Sequence, residues 1–306
     1  KITNFKEKNI SKRRKELEVI LSASRAKNRQ FKTLGLSATP VVNNLKEGKS
    51  LIQLLSHDDF SDVDDKSTVP NAVTLHEKIT NLSIRQIPNY QINVDKKFIE
   101  VSKRKPPGKK LKELHKKPLA IEQYLTEARL DEIIQRIKDP KTGKALPTII
   151  YTEYVGKDAD SPNKKRIDDS LAKAVKDAGH TFGFYTGRQH DGLQLFKDKK
   201  ITVLIASRPI STGVDGLQAI CTNLIFNTLP WTHALYNQIV GRIVRTGQAK
   251  KKVTIHHIKA TIGGYPYDDA KLDRLKFKRT LADCAVDGLL PESNLVTPAA
   301  AAKAAV

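Results

Sequence analysis

The sequence predicts an α/β fold, a doubly wound parallel sheet flanked by helices. Three observations predict it. From about residue 118, apolar β-forming runs alternate with amphipathic runs of helical period. The connections between them are short and rich in Gly, Ser and Thr. Runs such as LPTIIYTEY (146–154) and ITVLIAS (201–207) are largely apolar, as strands covered by helices on both faces must be.

The elements follow in order. The first 30 residues read as a basic helix, with apolar positions at Leu17, Ile20 and Leu21. FKTLGLSATP (31–40) reads as a short strand, Thr33 to Leu36, running into a small-residue turn closed by Pro40. NNLKEGKSLIQLL (43–55) reads as a helix with Leu45, Leu51, Ile52 and Leu55 on one face, and HDDFSDVDD (57–65) as an acidic loop. From Tyr90 onward, apolar and polar residues alternate through INVDKKFIEV, which predicts an edge strand. SKRKPPGKKLK (102–112) is a basic, proline-broken linker. AIEQYLTEARLDEIIQRIKD (120–139) is an amphipathic helix and LPTIIYTEY a strand. IDDSLAKAVKDAG (167–179) is a helix stopped by Gly179, followed by a strand in HTFGFYTG (180–187). ITVLIAS is a buried strand leading into the glycine turn STGVDGLQ (211–218). NLIFN (223–227) is a strand, THALYNQIVGRIVR (232–245) a helix and KKVTIHHIKA (251–260) a strand. The alanine-rich tail TPAAAAKAAV (297–306) falls outside this fold.

Composition restricts partners and setting. Lys and Arg number 54 against 33 Asp and Glu, a formal charge of +21. Such an excess favours polyanions through counterion release, or marks a lysine-rich solvated surface. No apolar run approaches the roughly 20 residues of a membrane span, and the charged start gives no signal peptide. Cys221 and Cys284 are far apart, without metal-ligand spacing. A reducing cytoplasmic setting, or a nuclear one, is expected. The chain holds no methionine and starts at a lysine, which predicts a fragment of a longer protein.

Ligands of open α/β sheets bind at the carboxyl ends of strands. Here those places are SATP, YTEY, YTG, STGVDG and the turn before QIVGRIVRTGQ (238–248). Within that last segment Arg242 and Arg245 stand at i and i+3, one helical face, with Ile239, Val240 and Ile243 to bury the others. A guanidinium keeps its charge and offers a fork matched to phosphate oxygens. Two forks suit a triphosphate in transfer, one holding the γ-phosphate and one meeting charge that develops in the transition state. The same spacing also fits two exposed salt bridges.

The spacing Q-x-x-G-R-x-x-R-x-G-Q resembles motif VI of superfamily-two helicases, and its R-x-x-R-x-G-Q ending resembles the Swi/Snf-like branch of DNA translocases. LGLSATPVVNNLKEGKSLIQLL resembles that branch's motif III region, LPTIIYTEY resembles motif IV, and VLIASRPISTGVDGLQ resembles motif V. The resemblance spans roughly residues 20 to 285. It implies a RecA-like fold: 1–60 as the tail of a first lobe, 61–117 as a linker or insertion, 118–290 as the second lobe and 291–306 as a disordered tail. Motifs I and II, which bind most of the ATP and Mg2+, are expected before Lys1.

By the same resemblance, Arg245 is the arginine finger, Arg242 a γ-phosphate ligand, and Gln238 orients water or bridges the lobes. Gly213 and Asp215 belong to the nucleotide side of motif V. Asp215 stands where the Swi/Snf-like branch usually has asparagine. Ser37, Ala38 and Thr39 couple the nucleotide cleft to the nucleic-acid track, and Ser211 and Thr212 contact backbone phosphates. The implied activity is ATP-driven translocation on double-stranded DNA. The implied partners are that DNA, the first lobe and a nuclease or methyltransferase of a restriction system, with no membrane. A chromatin-remodeller relative, a strand-separating helicase and a basic DNA-binding module with degenerate motifs are the competing readings.

Other features read as structural or stay open. Glu47-Gly48-Lys49-Ser50 ends like a phosphate loop, but Asn43 stands where that loop needs glycine, so a helix is expected. Gln248 reads as a cap. Trp231 is either a core anchor or a stacking platform. His256 and His257 lie in a strand without metal-ligand spacing. Lys103 to Lys112 is a nucleic-acid contact, an import signal or a solvated linker.

Overall fold

Short β-branched and aromatic runs form the middle of a six-stranded sheet, seen in a computed structural model that describes residues 12–37, 39–86, 89–105, 116–156 and 166–291. The strands are β1 (Asn93–Lys103), β2 (Thr148–Tyr151), β3 (Phe182–Tyr185), β4 (Val203–Ala206), β5 (Asn223–Phe226) and β6 (Lys252–Ile262). They lie in the order β1-β6-β5-β2-β4-β3, and every pairing is parallel. β2, β4 and β5 are buried at all four of their residues, which explains their unbroken apolar runs. β1 occupies one edge, where alternation of burial replaces uniform burial.

Helices cover both faces. On one, α4 (Pro118–Ile137) and α5 (Ile167–Asp177) place Ile133, Ile137, Leu171 and Val175 against Ile150, Ile205 and Ile225. On the other, α6 (Gly192–Lys197) and α7 (His233–Val240) bring Phe196, Leu235 and Ile239 onto Ile149, Leu204, Leu224 and Ile255. This is the doubly wound parallel arrangement that the alternation of elements predicts.

The dock of α6 on β3 depends on missing side chains. A Cβ at Gly192 would lie 2.4 Å from the Phe184 amide nitrogen and 2.6 Å from the Gly183 carbonyl carbon. Both obstacles are backbone, which cannot swing aside. Gly192→Ala is expected to destabilise the protein by about 1–3 kcal/mol, read as a lower urea midpoint, because overpacking here must displace the helix.

A smaller helical core lies beside the sheet. α1 (Lys12–Lys27), α2 (Leu45–Ser56), α3 (Val69–Leu82) and the long C-terminal α8 (Tyr267–Asp287) complete the described helices. Val41, Leu45, Ile52, Phe60, Val63, Leu75 and Ile79 pack against Leu281, Cys284 and Ala285 near the end of α8. Asn44 caps α2 by accepting from the Glu47 amide, and Thr68 caps α3 by accepting from Asn71.

The structure corrects several expectations. No strand forms over Thr33 to Leu36. Leu34 and Leu36 are 83% and 89% exposed, and among the described residues no neighbouring strand offers them hydrogen bonds. On α2, Leu45 and Ile52 are buried, but Leu51 and Leu55 are only half-buried, and Leu54 joins the core in their place. In α1, Leu21 is buried while Ile20 faces solvent, and the residues before Lys12 lie outside those described. α3 and α8 were not anticipated. Charged residues along α8 and the acidic stretch before α3 obscured their apolar periodicity. Residues 106–115 and the alanine-rich tail fall outside the described residues.

Two strand histidines belong to the core. His256 and His257 are buried on opposite faces of β6. Burial pushes each down to about 4, helped by Arg136 beside His256 and Lys96 beside His257. An unfolded histidine titrates near 6.5. Between about pH 6.5 and 4 the unfolded chain therefore binds more protons, and stability falls as pH drops through that window. The urea midpoint should be lower at pH 5 than at pH 7.5, and replacing both histidines by asparagine should flatten part of that slope.

Candidate nucleotide and nucleic-acid site

The strand order reverses around β2, which has β4 and β3 on one side and β5 and β6 on the other. The carboxyl ends of β2, β4 and β5 thus converge on the crevice where such sheets bind ligands. Thr228, just past β5, accepts the Glu153 amide through its hydroxyl. Glu153 accepts the Tyr151 phenol and, at 2.8 Å, the Arg208 guanidinium. Burial, then the Glu153 charge, pushes the Tyr151 phenol well up, so it stays a donor. Glu153 is nearly buried, whereas the Arg208 side chain is 65% exposed. A fixed acceptor therefore aims a solvated guanidinium outward, a geometry that can meet phosphate oxygens. Sequence reasoning located the YTEY and STGVDG loops but singled out neither Glu153 nor Arg208. Their pairing spans 55 residues and leaves no local signal.

The two arginines of QIVGRIVRTGQ part company. α7 ends at Val240, and Arg242 to Val244 continue as turns with bonds to Ile239 and Val240 carbonyls. Arg242 and Arg245 therefore do not share a regular helical face, which corrects the expectation from their spacing. Gly241 and the β-branched pair Ile243-Val244 are poor helix formers at this end. Arg242 donates to the Val214 carbonyl at 2.6 Å and to the Ser211 carbonyl, so it clamps the glycine turn after β4. Arg245 turns to solvent and pairs with Asp215 at 3.1 Å, with side chains 35% and 73% exposed.

Asp215 is held below the usual carboxylate range by the Gly216 amide, then by Gln218 and Arg245. Gly213 adopts φ 68°, a left-handed angle that turns the loop between the two carbonyls Arg242 grips. Ser211 is buried, its hydroxyl donating to the Arg208 carbonyl at 2.9 Å, while Thr212 is exposed. Gln238 is exposed on α7, one turn before Arg242. Gln248 donates to the Ile243 carbonyl at 2.6 Å and the Cys221 carbonyl at 3.1 Å, tying the turn to the segment that leads into β5.

The segment from Ser37 to Ser50 reaches the same region through α8. Ser37 is exposed and its hydroxyl accepts the Thr39 amide at 3.2 Å, and Ala38 lies outside the described residues. The Glu47 carboxylate accepts the Val42 and Asn43 amides at 3.0 and 2.9 Å. Glu47-Gly48-Lys49-Ser50 sits inside α2, so it is not a phosphate loop. Lys278 of α8 then donates to the Asn43 side-chain oxygen at 3.3 Å and to the Trp231 carbonyl at 3.2 Å. Trp231 itself donates to Tyr154 and has the Lys271 ammonium 4.7 Å from its ring centre. It is half-buried and gripped from two sides, a lid over α8 rather than a fully enclosed anchor.

Beneath it lies a buried charge cluster that sequence reasoning missed. Glu122 and Arg129 of α4 meet Asp268 and Lys271 of α8, all under 5% exposed. Arg129 bonds Glu122 at 3.0 Å and Asp268 at 2.7 Å, and Lys271 bonds Glu122 at 2.9 Å. Burial alone would raise the Glu122 carboxyl, but Lys271 and Arg129 hold it below its usual range.

Residues 128–247 match the family model of the helicase conserved C-terminal domain. That span runs from α4 through both arginines. No curated protein matches the sequence. Among solved structures, a DEAD box protein from the hyperthermophile Methanococcus jannaschii is similar at 19% identity and TM-score 0.38, over 61% of this chain and 39% of that one. The C-terminal part of the Fun30 ATPase domain is similar at 16% identity and TM-score 0.40, over 53% of this chain and 54% of that one. The chain thus spans about two fifths of the first and about half of the second. Among the described residues, no helix is long and apolar enough to cross a membrane.

Proposed function

We propose that this chain is the second lobe of an ATP-driven motor that translocates along double-stranded DNA. The observation that carries the reading is the division of labour between the arginines. Arg242 is fixed to two carbonyls of the glycine turn, while among the described residues Arg245 is held by one solvent-exposed carboxylate. A locked guanidinium shapes the loop, and a lightly held one is free to move onto a nucleotide that another lobe presents. The match to the helicase C-terminal domain supports the same reading. ATP and Mg2+ would be bound mainly by the phosphate loop and acidic box of that other lobe.

The strand-end crevice, with Arg208, Thr212 and the Ser37–Thr39 turn, would follow the phosphate backbone with little base reading. Lys278 would transmit position between the motif III segment and the loop opening α7. The wording of VGRIVRTGQ favours a bacterial restriction or defence motor, working beside a nuclease or methyltransferase, over a chromatin remodeller. Asp215, the superfamily's commoner residue, favours a strand-separating helicase as the second reading.

The test uses a longer protein carrying both lobes. A translocase should hydrolyse ATP when double-stranded DNA is added and displace a triplex strand without opening a tailed duplex. Opening of the duplex would move the assignment to the second reading. Absence of stimulated hydrolysis would leave a DNA-binding module.

A further inference from the structure

Strand β1 lies at an open edge of the sheet, and among the described residues β6 is its one neighbour. The two run parallel and pair without a bulge from Asn93 to Lys103. Along such a strand, alternate residues turn their backbone groups to opposite sides. The Asn93 amide donates to the Lys251 carbonyl at 2.8 Å, and the Lys103 carbonyl accepts the Gly263 amide at 2.9 Å, so the odd-numbered residues face β6. Val94, Lys96, Phe98, Glu100 and Ser102 therefore turn their amides and carbonyls to the open side, where among the described residues no strand bonds them. Long open edges invite another chain, and proteins blunt them with proline, bulges or lysines. β1 has no proline and no bulge, and its charge is nearly balanced: Lys96, Lys97 and Lys103 stand against Asp95 and Glu100, in a chain of formal charge +21.

The strand is complementary to itself. Laid antiparallel on a second copy about Phe98, all 11 of its residues find a partner. Phe98 meets Phe98, and Lys96 meets Glu100 on both sides of the two-fold axis. Asp95 faces Val101, Lys97 faces Ile99 and Lys103 faces Asn93, so no like charges meet. Centring on Lys96 or Lys97 instead sets lysine against lysine, and centring on Glu100 sets carboxylate against carboxylate. The pairs Phe98–Phe98, Lys96–Glu100 and Val94–Ser102 join residues whose backbone groups point outward, so each can exchange both hydrogen bonds. Aromatic pairs and opposite charges set directly across from each other stabilise a sheet. Lys96, Phe98 and Glu100 share one face and are exposed. Phe98 stacks on His257 at 4.7 Å and 14°, which holds its ring in place for the copy. Glu100 accepts Lys259 at 2.9 Å, but its side chain is 72% exposed and Lys259 also holds Asp269 at 2.8 Å, so a second lysine can reach it.

We propose that β1 is a dimerisation edge: two copies of this chain pair antiparallel through Asn93–Lys103 and join their sheets into one. The contact uses the same patch on both copies, so it closes at a two-fold dimer and does not propagate. It uses no residue of the strand-end crevice and needs neither nucleotide nor DNA, so it stands apart from the motor reading.

The test is sedimentation equilibrium of the chain alone, where a monomer–dimer equilibrium is expected. Lys96→Glu sets carboxylates against each other across the two-fold axis, and Glu100→Lys sets ammonium groups against each other. Each variant alone should raise the dimer Kd about tenfold or more. Mixed in equal amounts, the two variants regain both opposite-charge pairs and should dimerise with each other. Phe98→Cys tests the register. Cα atoms of a hydrogen-bonded antiparallel pair lie about 5.5 Å apart, which suits a disulfide, so mild oxidation with copper phenanthroline should link the two copies. Lys96→Cys should not link, because its copy lies about 13 Å away along the strand. Cys221 and Cys284 are buried and do not compete. Emission of Trp231, the sole tryptophan, reports whether each variant is folded. A chain that stays monomeric up to its solubility limit leaves the edge to a strand of another protein and overturns the proposal. A dimer indifferent to both charge reversals, or one that Phe98→Cys does not link, overturns it as well.

Discussion

Replacing Arg245 by alanine is expected to lower DNA-stimulated ATP hydrolysis about 10³-fold in a protein that joins this chain to its first lobe, with DNA binding retained. The Arg245 guanidinium pairs with Asp215, whose side chain is 73% exposed, and an ion pair so open to water contributes little to stability. Its loss should leave the fold intact and remove only what the guanidinium does for the transferring phosphoryl group. Arg245→Lys should rescue poorly, because an ammonium lacks the planar fork. Arg242→Ala offers the contrast. It frees the Ser211 and Val214 carbonyls, so the glycine turn should loosen and both stability and turnover should fall. Wild-type turnover in Arg245→Ala would end the motor reading.

The largest effect on stability should come from the buried cluster between α4 and α8. Arg129→Met leaves Glu122 and Asp268 buried with Lys271 as their only cation. Breaking a buried pair on one side costs about 3–5 kcal/mol, because the partner's charge stays buried and uncompensated. That approaches the whole stability of an ordinary domain. Urea denaturation should show a collapsed midpoint, or no folded protein. Adding Asp268→Asn to Arg129→Met removes the orphaned carboxylate and keeps the Glu122–Lys271 pair at 2.9 Å, and should recover part of the loss. An unfolding free energy within about 0.5 kcal/mol of wild type in Arg129→Met would show that the cluster is hydrated in solution and does not hold α8.

How far the sequence could be read depends on how local each signal is. Unbroken apolar runs gave β2, β4 and β5, and period-3.6 patterns gave α4 and α5, because a strand buried on both faces and a helix buried on one each write their burial into adjacent residues. The left-handed glycine turn and the arginine pair were legible for the same reason. α8 was not, because Asp268 and Lys271 look like a solvated face until Glu122 and Arg129, more than 130 residues away, are brought against them. Glu153 and Arg208, and Phe98 and His257, are likewise contacts between separate strands and loops. The strand expected at Thr33 to Leu36 fails for the converse reason: its pattern is right, but a strand needs neighbours to hydrogen-bond.

By itself, then, the sequence determined the α/β class, the alternation of elements, the glycine turn and the presence of two guanidinium groups next to it. Only the tertiary structure decided that one of those groups is clamped and the other lightly held, and which charges are buried and paired. Local pattern follows from the geometry of adjacent residues, whereas pairing depends on distances that exist only after the chain has closed on itself.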